Sequence, residues 1–420
     1  MVNVLSYLSW AGPQSMWDLA FNVLDSLALS QIVHLELETA FRDQPVISMA
    51  QAAKALEGDE EARKLYAFLL RQRLQALQLM GEAPRYKDLL LSDFVDEIST
   101  QDETQFSAVT LTLENGIKVI CYRGTDLTLA GWKEDFNMSF DSPVPAQKAA
   151  LDYLKRIADK SIAPLVLLGH SKGGNLAVYA AVHSPGEVQD RLLKVYTFDG
   201  PGLTEEDAQL PGYLRVSGRI RSYLPRQSLV GVIFFQHRPY RVVRSGALSI
   251  FQHDVFSWEV VSNQPRFVRR KGLSRRSRMM DKALDQWISE LSLDDRRLFS
   301  DTIYRVLTAA SDETLGDLVR TDRRKARMIL RATQDIPPEV RKGLRKAVGL
   351  LLSGTVGGVW DAVVEGGRAL LPKRKVAKRL LEQKFATVGH ADLKALQAAR
   401  PDQPRQDASP AEKGDTQASQ

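Results

Sequence analysis

The sequence predicts an α/β fold: a mainly parallel central sheet with helices on both faces, followed by a C-terminal helical extension. Three observations carry this expectation. Short apolar runs alternate with segments of helical period through residues 1–265. Asn115-Gly116 lies between two strand-like runs, a strong hairpin signal. Residues 166–175 read Val-Leu-Leu-Gly-His-Ser-Lys-Gly-Gly-Asn, an apolar strand passing through a glycine-flanked turn into an alanine-rich helix.

Taken in order, residues 17–37 carry Leu19, Val23, Leu27, Ile32 and Val33 near helical spacing, as a helix covering one side of a sheet would. Helical patterns continue at 49–56 and 60–79, the second with Leu65, Phe68, Leu69, Leu74 and Leu77 on one face. The hairpin strands are 105–113 and 117–122. Arg123-Gly124-Thr125 then opens a polar and aromatic loop holding Trp132, Asp135 and Phe136, ahead of a helix at 147–158. A strand at 163–168 and a helix at 175–183 flank the Gly-His-Ser-Lys-Gly turn. The strand 193–198 stops at Asp199-Gly200-Pro201-Gly202, which neither helix nor strand can cross. Further strands are expected at 220–224, 230–235 and 240–244. Beyond about Lys271 the patterns are helical only. The expected organisation is a sheet-bearing domain at 1–265, a basic linker at 266–278, a helical extension at 279–390 and a disordered tail at 391–420.

At 420 residues with 44% apolar side chains the chain can bury a large core. Its net charge of +6 is the balance of 57 basic and 51 acidic residues, a mixed surface that selects no partner class. The basic runs at 266–278 and 373–379 lack interleaved aromatics or a recognisable module, so no specific nucleic-acid partner is expected. The single cysteine, Cys121, excludes an intramolecular disulfide framework and any multi-cysteine zinc site, and neither metal nor cofactor is expected. Residues 1–30 contain Asp18 and Asp25 and lack a basic n-region, so no signal peptide is read there. Residues 348–371 are the most membrane-like stretch, but Asp361, Glu365 and Arg368 interrupt them. A cytoplasmic protein is expected.

The Gly-His-Ser-Lys-Gly turn has the form of a nucleophile elbow. A serine hydroxyl is a weak nucleophile near neutral pH, so Ser171 needs a base and an anion-stabilising pocket within reach. Gly169 and Gly173 remove the side chains that would clash at so sharp a turn. The base must be a histidine further along. His183 lies about three turns down the following helix, too far from its start. His237 precedes Arg238-Pro239 and reads as a turn residue. His253, in a loop after the last strand, is the expected general base. His170, beside the serine, is expected to pack or donate a hydrogen bond at the substrate site rather than act as base. Asp199 falls between Ser171 and His253 in chain order and is the favoured acid by elimination; the alternatives are a turn or capping role for it, or a Ser-His dyad. Asp254 is too close to His253 in sequence to orient it. The backbone N–H of Lys172 is one oxyanion donor and Thr125 the second. The competing reading of that loop is an Arg123–Asp126 ion pair.

Tyr122-Arg123-Gly124-Thr125-Asp126 with Trp132 and Asp135, and then Gly169-His170-Ser171-Lys172-Gly173-Gly174-Asn175, resembles the fungal-type (class 3) lipases of the α/β-hydrolase fold. The likeness implies that Thr125 serves the oxyanion hole and that the loop bearing Trp132 covers an acyl pocket. A closer likeness is to the bacterial Mbeg-like proteins, a domain-of-unknown-function family of α/β hydrolases. It is carried by Asn3-Val4-Leu5-Ser6-Tyr7-Leu8, residues 23–29, Phe198-Asp199-Gly200-Pro201-Gly202, residues 225–231, and Gln252-His253-Asp254 with Ser257-Trp258. The chain departs from the class 3 lipases at their acid-bearing Asp-x-Val-Pro segment, where it reads Gln227-Ser228-Leu229-Val230.

These readings converge on a serine hydrolase acting on an ester or acyl-lipid substrate through an acyl-enzyme, with peripheral membrane association as an accompanying expectation. The alternative is a weak or inactive hydrolase fold used as a binding or membrane-surface module.

Overall fold

In the computed structural model the chain is described over residues 1–58, 68–99, 104–124, 143–232, 239–275 and 277–278. These residues form a nine-stranded sheet whose strands lie side by side in chain order. They are β1 (Val46–Ser48), β2 (Leu90–Ser99), β3 (Thr104–Thr112), β4 (Lys118–Tyr122), β5 (Leu165–His170), β6 (Leu192–Phe198), β7 (Ile220–Pro225), β8 (Arg241–Val243) and β9 (Arg269–Arg270). From β4 to β8 all pairings are parallel; β1 to β4 and the β8–β9 pair are antiparallel. The α/β class with a parallel middle is the predicted one.

Helices cover both faces. α1 (Val4–Ala11), α2 (Val23–Ile32), α3 (Glu38–Phe41), α4 (Met49–Gly58) and α5 (Phe68–Glu82) precede the parallel strands; α6 (Pro145–Lys160) and α7 (Lys172–His183) are crossovers between them. The strand period of two sorts the apolar side chains. Val166 and Leu168 of β5 join a core shared with α1, α2, α4 and α5, while Leu165 and Leu167 join a second core with α6 and α7. Every residue of β5 is buried, as a parallel strand between two helical layers should be.

Three expectations shift. The helix expected at 17–37 is α2 alone, because Asn22 caps it: its Oδ1 accepts the N–H of Leu24 while Asp25 accepts the N–H of Asn22. Of the strand expected at 230–235, residues 230–232 lie in a bend and turn and 233–235 fall outside the described residues. Strand β2 was not anticipated, because Asp93, Asp96 and Glu97 break its alternation and a bulge falls between Ser92 and Val95. Asp93 holds φ 54 there and bonds Lys160 at 2.5 Å. Within the basic run, Arg269 and Arg270 form the edge strand β9, where exposed cationic side chains deter pairing with a second chain. The predicted helices beyond Lys271 and residues 348–371 lie outside the described residues; among those described, no helix is long and apolar enough to cross a membrane.

The N-terminal layer is anchored by a buried ion pair. Arg85 donates to both oxygens of Asp25, at 3.0 and 2.7 Å, and the hydroxyls of Tyr7 and Tyr86 donate to Asp25 Oδ1 at 2.9 and 2.6 Å. This network locks α1, α2 and the turn after α5 together, and α2 packs against β4, β5 and β6.

Candidate active site

The elbow forms as its sequence demands. β5 ends at His170, α7 starts at Lys172, and Ser171 between them holds φ 56, ψ −134. A non-glycine residue in that region stores about 1–3 kcal/mol of strain and persists only where its surroundings enforce it. Here the N–H of Ser171 donates to Phe198 O at 3.0 Å, and the N–H of Gly174 donates to Ser171 O at 2.9 Å. Close approach explains the glycines: a Cβ on Gly169 would lie 2.2 Å from the carbonyl of Gly173, and one on Gly173 would lie 2.2 Å from Tyr122 O. The loop leaving β4 also abuts the serine, since a Cβ on Gly124 would stand 3.0 Å from the Cβ of Ser171.

Asp199 follows β6 directly after Phe198, so the backbone bond from Ser171 to Phe198 brings the aspartate to the elbow. It is fully buried and also held at positive φ, 47°, with its N–H donating to Tyr223 O at 2.8 Å. Its Oδ2 receives Nδ1 of His253 at 2.8 Å, although 54 residues separate the two. A carboxylate accepts, so Nδ1 carries the proton and Nε2 of His253 presents a lone pair. The other oxygen, Oδ1, accepts the hydroxyl of Ser228 at 2.5 Å and the N–H of Gly231 at 3.2 Å.

His170 lies against His253 with ring centroids 4.5 Å apart, and its Nε2 bonds the carbonyl oxygen of His253 at 3.0 Å. Burial, and next the neighbouring His253, hold the His170 imidazole well below the ordinary histidine range. His183 is elsewhere, bonded to Asp207 at 2.8 Å and stacked on Tyr179. Asp254 turns away from His253 to cap the short helix Val255–Ser257 through the N–H of Phe256. Burial pushes its carboxyl up.

Lys172 begins α7, in the first turn where helical N–H groups point away from the helix body; its ammonium is buried and donates to Gln105 O at 3.0 Å. Arg123 grips Asp96 of β2 with two bonds, 2.8 and 2.6 Å, which fixes the strand end before Gly124. The Arg123–Asp126 pair considered from sequence involves a residue outside the described ones. Thr125, Asp126, Trp132, Asp135, Phe136 and His237 lie outside the described residues.

Two contributors escaped the sequence. Asn175 accepts from Gln147 at 2.9 Å and donates to Gly202 O at 2.6 Å, tying α6 and α7 to the turn after Asp199. Ser228 occupies the segment that holds no carboxylate. The Asn-after-Gly-Gly pattern could have flagged the first; nothing local flags the second. Among the described residues no cluster of ligating side chains could hold a metal ion.

Of the solved structures, the chain is similar to one titled "Crystal structure of M37 lipase", with 15% identity over 50% of this chain and 69% of that chain and a TM-score of 0.31. No curated protein sequence matches it. The Mbeg1-like family profile matches residues 80–305, more than half of the chain and a span that contains Ser171, Asp199 and His253. The chain belongs to the Mbeg1-like family.

Proposed function

We propose that the protein is a serine hydrolase of ester or acyl-lipid substrates. The observation that carries the reading is the 2.8 Å bond between Asp199 and His253, with Asp199 following the residue whose carbonyl accepts the N–H of Ser171, a serine held at φ 56 on an elbow. That bond selects the tautomer of His253 whose Nε2 can take a proton. Ser171 Oγ attacks the acyl carbonyl as its proton passes to His253 Nε2. The carbonyl oxygen becomes an oxyanion, for which the N–H of Lys172 and Thr125 are the proposed donors; the approach of Gly124 to Ser171 supports that assignment. Collapse breaks the C–O bond of the ester, and His253 returns the proton to the leaving alcohol. Water, deprotonated by His253, then attacks the acyl-enzyme and frees the acid and Ser171. Trp132 is the proposed substrate-side group; His170, expected from sequence at the substrate site, is buried and bonded to the His253 carbonyl, so its role here is support of the histidine loop. Arg266, Arg269, Arg270 and Lys271 are exposed and suit association with an anionic membrane surface. The competing picture of an inert module rested on a missing acid, and the Asp199–His253 bond counts against it.

The test is covalent labelling by a fluorophosphonate probe, paired with hydrolysis of p-nitrophenyl esters of increasing chain length. Wild type is expected to label and turn over, and Ser171→Ala to do neither. Failure of wild type to label, or equal labelling of the alanine variant, overturns the reading.

A further inference from the structure

The turn after β7 is where the resemblance to class 3 lipases locates the acid, yet it offers Gln227-Ser228-Leu229-Val230. In the fold this turn still reaches the site, but with donors in place of a carboxylate. Ser228 is buried, and its Oγ sits 2.5 Å from Asp199 Oδ1. The N–H of Gly231 points at the same pair, 3.0 Å from Ser228 Oγ and 3.2 Å from Asp199 Oδ1. Only glycine fits there, since a Cβ would stand 2.5 Å from Asp199 Oδ1 and 2.9 Å from Ser228 Oγ. The turn is also stitched to the loop that delivers the base. Gln227 N donates to Gln252 Oε1 at 2.7 Å, and Gln252, next to His253, is held in turn by Ala247 O at 2.8 Å and by the Trp258 indole N–H at 2.7 Å.

We propose that Ser228 and Gly231 are positioning residues for the Asp199 carboxylate, and that the turn after β7 works as a donor clamp for an acid carried just after the neighbouring strand, β6. This rests on the reading of Asp199 as the acid partner of His253. The physical reason is that Asp199 alone cannot aim itself. It is buried, sits at a strained positive φ, and follows a strand one position beyond the elbow contact, so its χ1 and χ2 are set by what its two oxygens meet. Oδ2 must face His253. A hydroxyl and an N–H on Oδ1 hold the carboxylate plane so that it does, and they leave no buried lone pair unmet on that side. Moving the acid one strand over is thereby compatible with keeping the histidine loop where it was.

The experiment uses the full chain and two readouts, only one of which needs turnover. The first is the low-field proton NMR signal of a carboxylate-bonded imidazole Nδ1–H. It is expected in wild type, absent from Asp199→Asn, and shifted or broadened away in Ser228→Ala and in Gly231→Ala, with each variant's folding checked by thermal unfolding. The second is p-nitrophenyl butyrate kinetics: Ser228→Ala is expected to lower kcat roughly tenfold to a hundredfold, with KM changed less than about twofold. In an Asp199→Asn background the same substitution is expected to cost less than about twofold, because the group being aimed is gone. An unchanged NMR signal in Ser228→Ala, or an equal loss of kcat in both backgrounds, overturns the clamp. If wild type shows the signal and Ser228→Ala loses it, but neither labels with the probe nor turns over, the clamp stands and the hydrolase reading falls.

Discussion

His170 Nε2 lies 3.0 Å from the carbonyl oxygen of His253, and the two rings are tilted by 33° with centroids 4.5 Å apart. A carbonyl only accepts, so Nε2 of His170 carries its proton and Nδ1 is a bare, buried lone pair without a hydrogen-bond partner among the described residues. The residue before the serine thus holds the backbone of the histidine loop from below. His170→Ala is expected to lower kcat on p-nitrophenyl esters by about tenfold, the worth of one buried hydrogen bond, while Ser171 still labels with a fluorophosphonate. Wild-type kcat in that variant would show that the loop needs no such support.

The same residue sets a pH dependence of stability. Burial holds His170 well below its ordinary range in the folded chain, so the unfolded chain takes up the proton first as pH falls through about 6.5. Stability is full above that value and is lost below it, with a slope approaching about 1.4 kcal/mol per pH unit from this group. Urea unfolding between about pH 7 and pH 5 is expected to show the decline, and His170→Phe to reduce its slope, with the remainder carried by His34, which burial holds low in the same direction. An identical slope in the variant would remove His170 from the account.

Asp25 and Arg85 make a pair with both side chains fully buried. Removing one partner strands the other charge. Asp25→Ala is expected to destabilise the protein by about 3–5 kcal/mol, read by chemical denaturation, and to loosen α2 against β4, β5 and β6. A loss below about 1 kcal/mol would mean that the guanidinium finds new partners at little cost.

Two aspartates lie near His253, the proposed base, and their hydrogen bonds differ. Asp199 bonds His253 Nδ1, whereas Asp254 caps a helix turn. Asp199→Asn is expected to lower kcat by about 10²- to 10⁴-fold through the wrong histidine tautomer. Asp254→Asn is expected to stay within about threefold, since an amide oxygen can still accept from Phe256 N–H. Reversal of these effects in steady-state kinetics would reassign the acid.

Much of this site was readable along the chain. Gly169, Gly173 and the apolar run before Ser171 are local: a sharp strand-to-helix turn forbids Cβ atoms at fixed offsets, and the pattern records that. His253 followed from chain order and from the poor placement of His183 and His237. Asp199 was reached only by eliminating other carboxylates, because nothing near it in sequence says which atoms its side chain meets. Strand β2 stayed hidden for a related reason: Asp93 and Asp96 spoil its alternation, yet each has a partner, Lys160 and Arg123, far along the chain.

Residue order and elementary sterics therefore established the α/β class, the parallel strands around the elbow, and Ser171 at its tip, all features governed by backbone sterics and side-chain period over a few residues. Folding was needed to seat Asp199 against His253, to turn Asp254 away, and to bring Ser228 to the carboxylate from a turn 29 residues on. Those are hydrogen bonds between distant segments, and their energies depend on distances that no local pattern encodes.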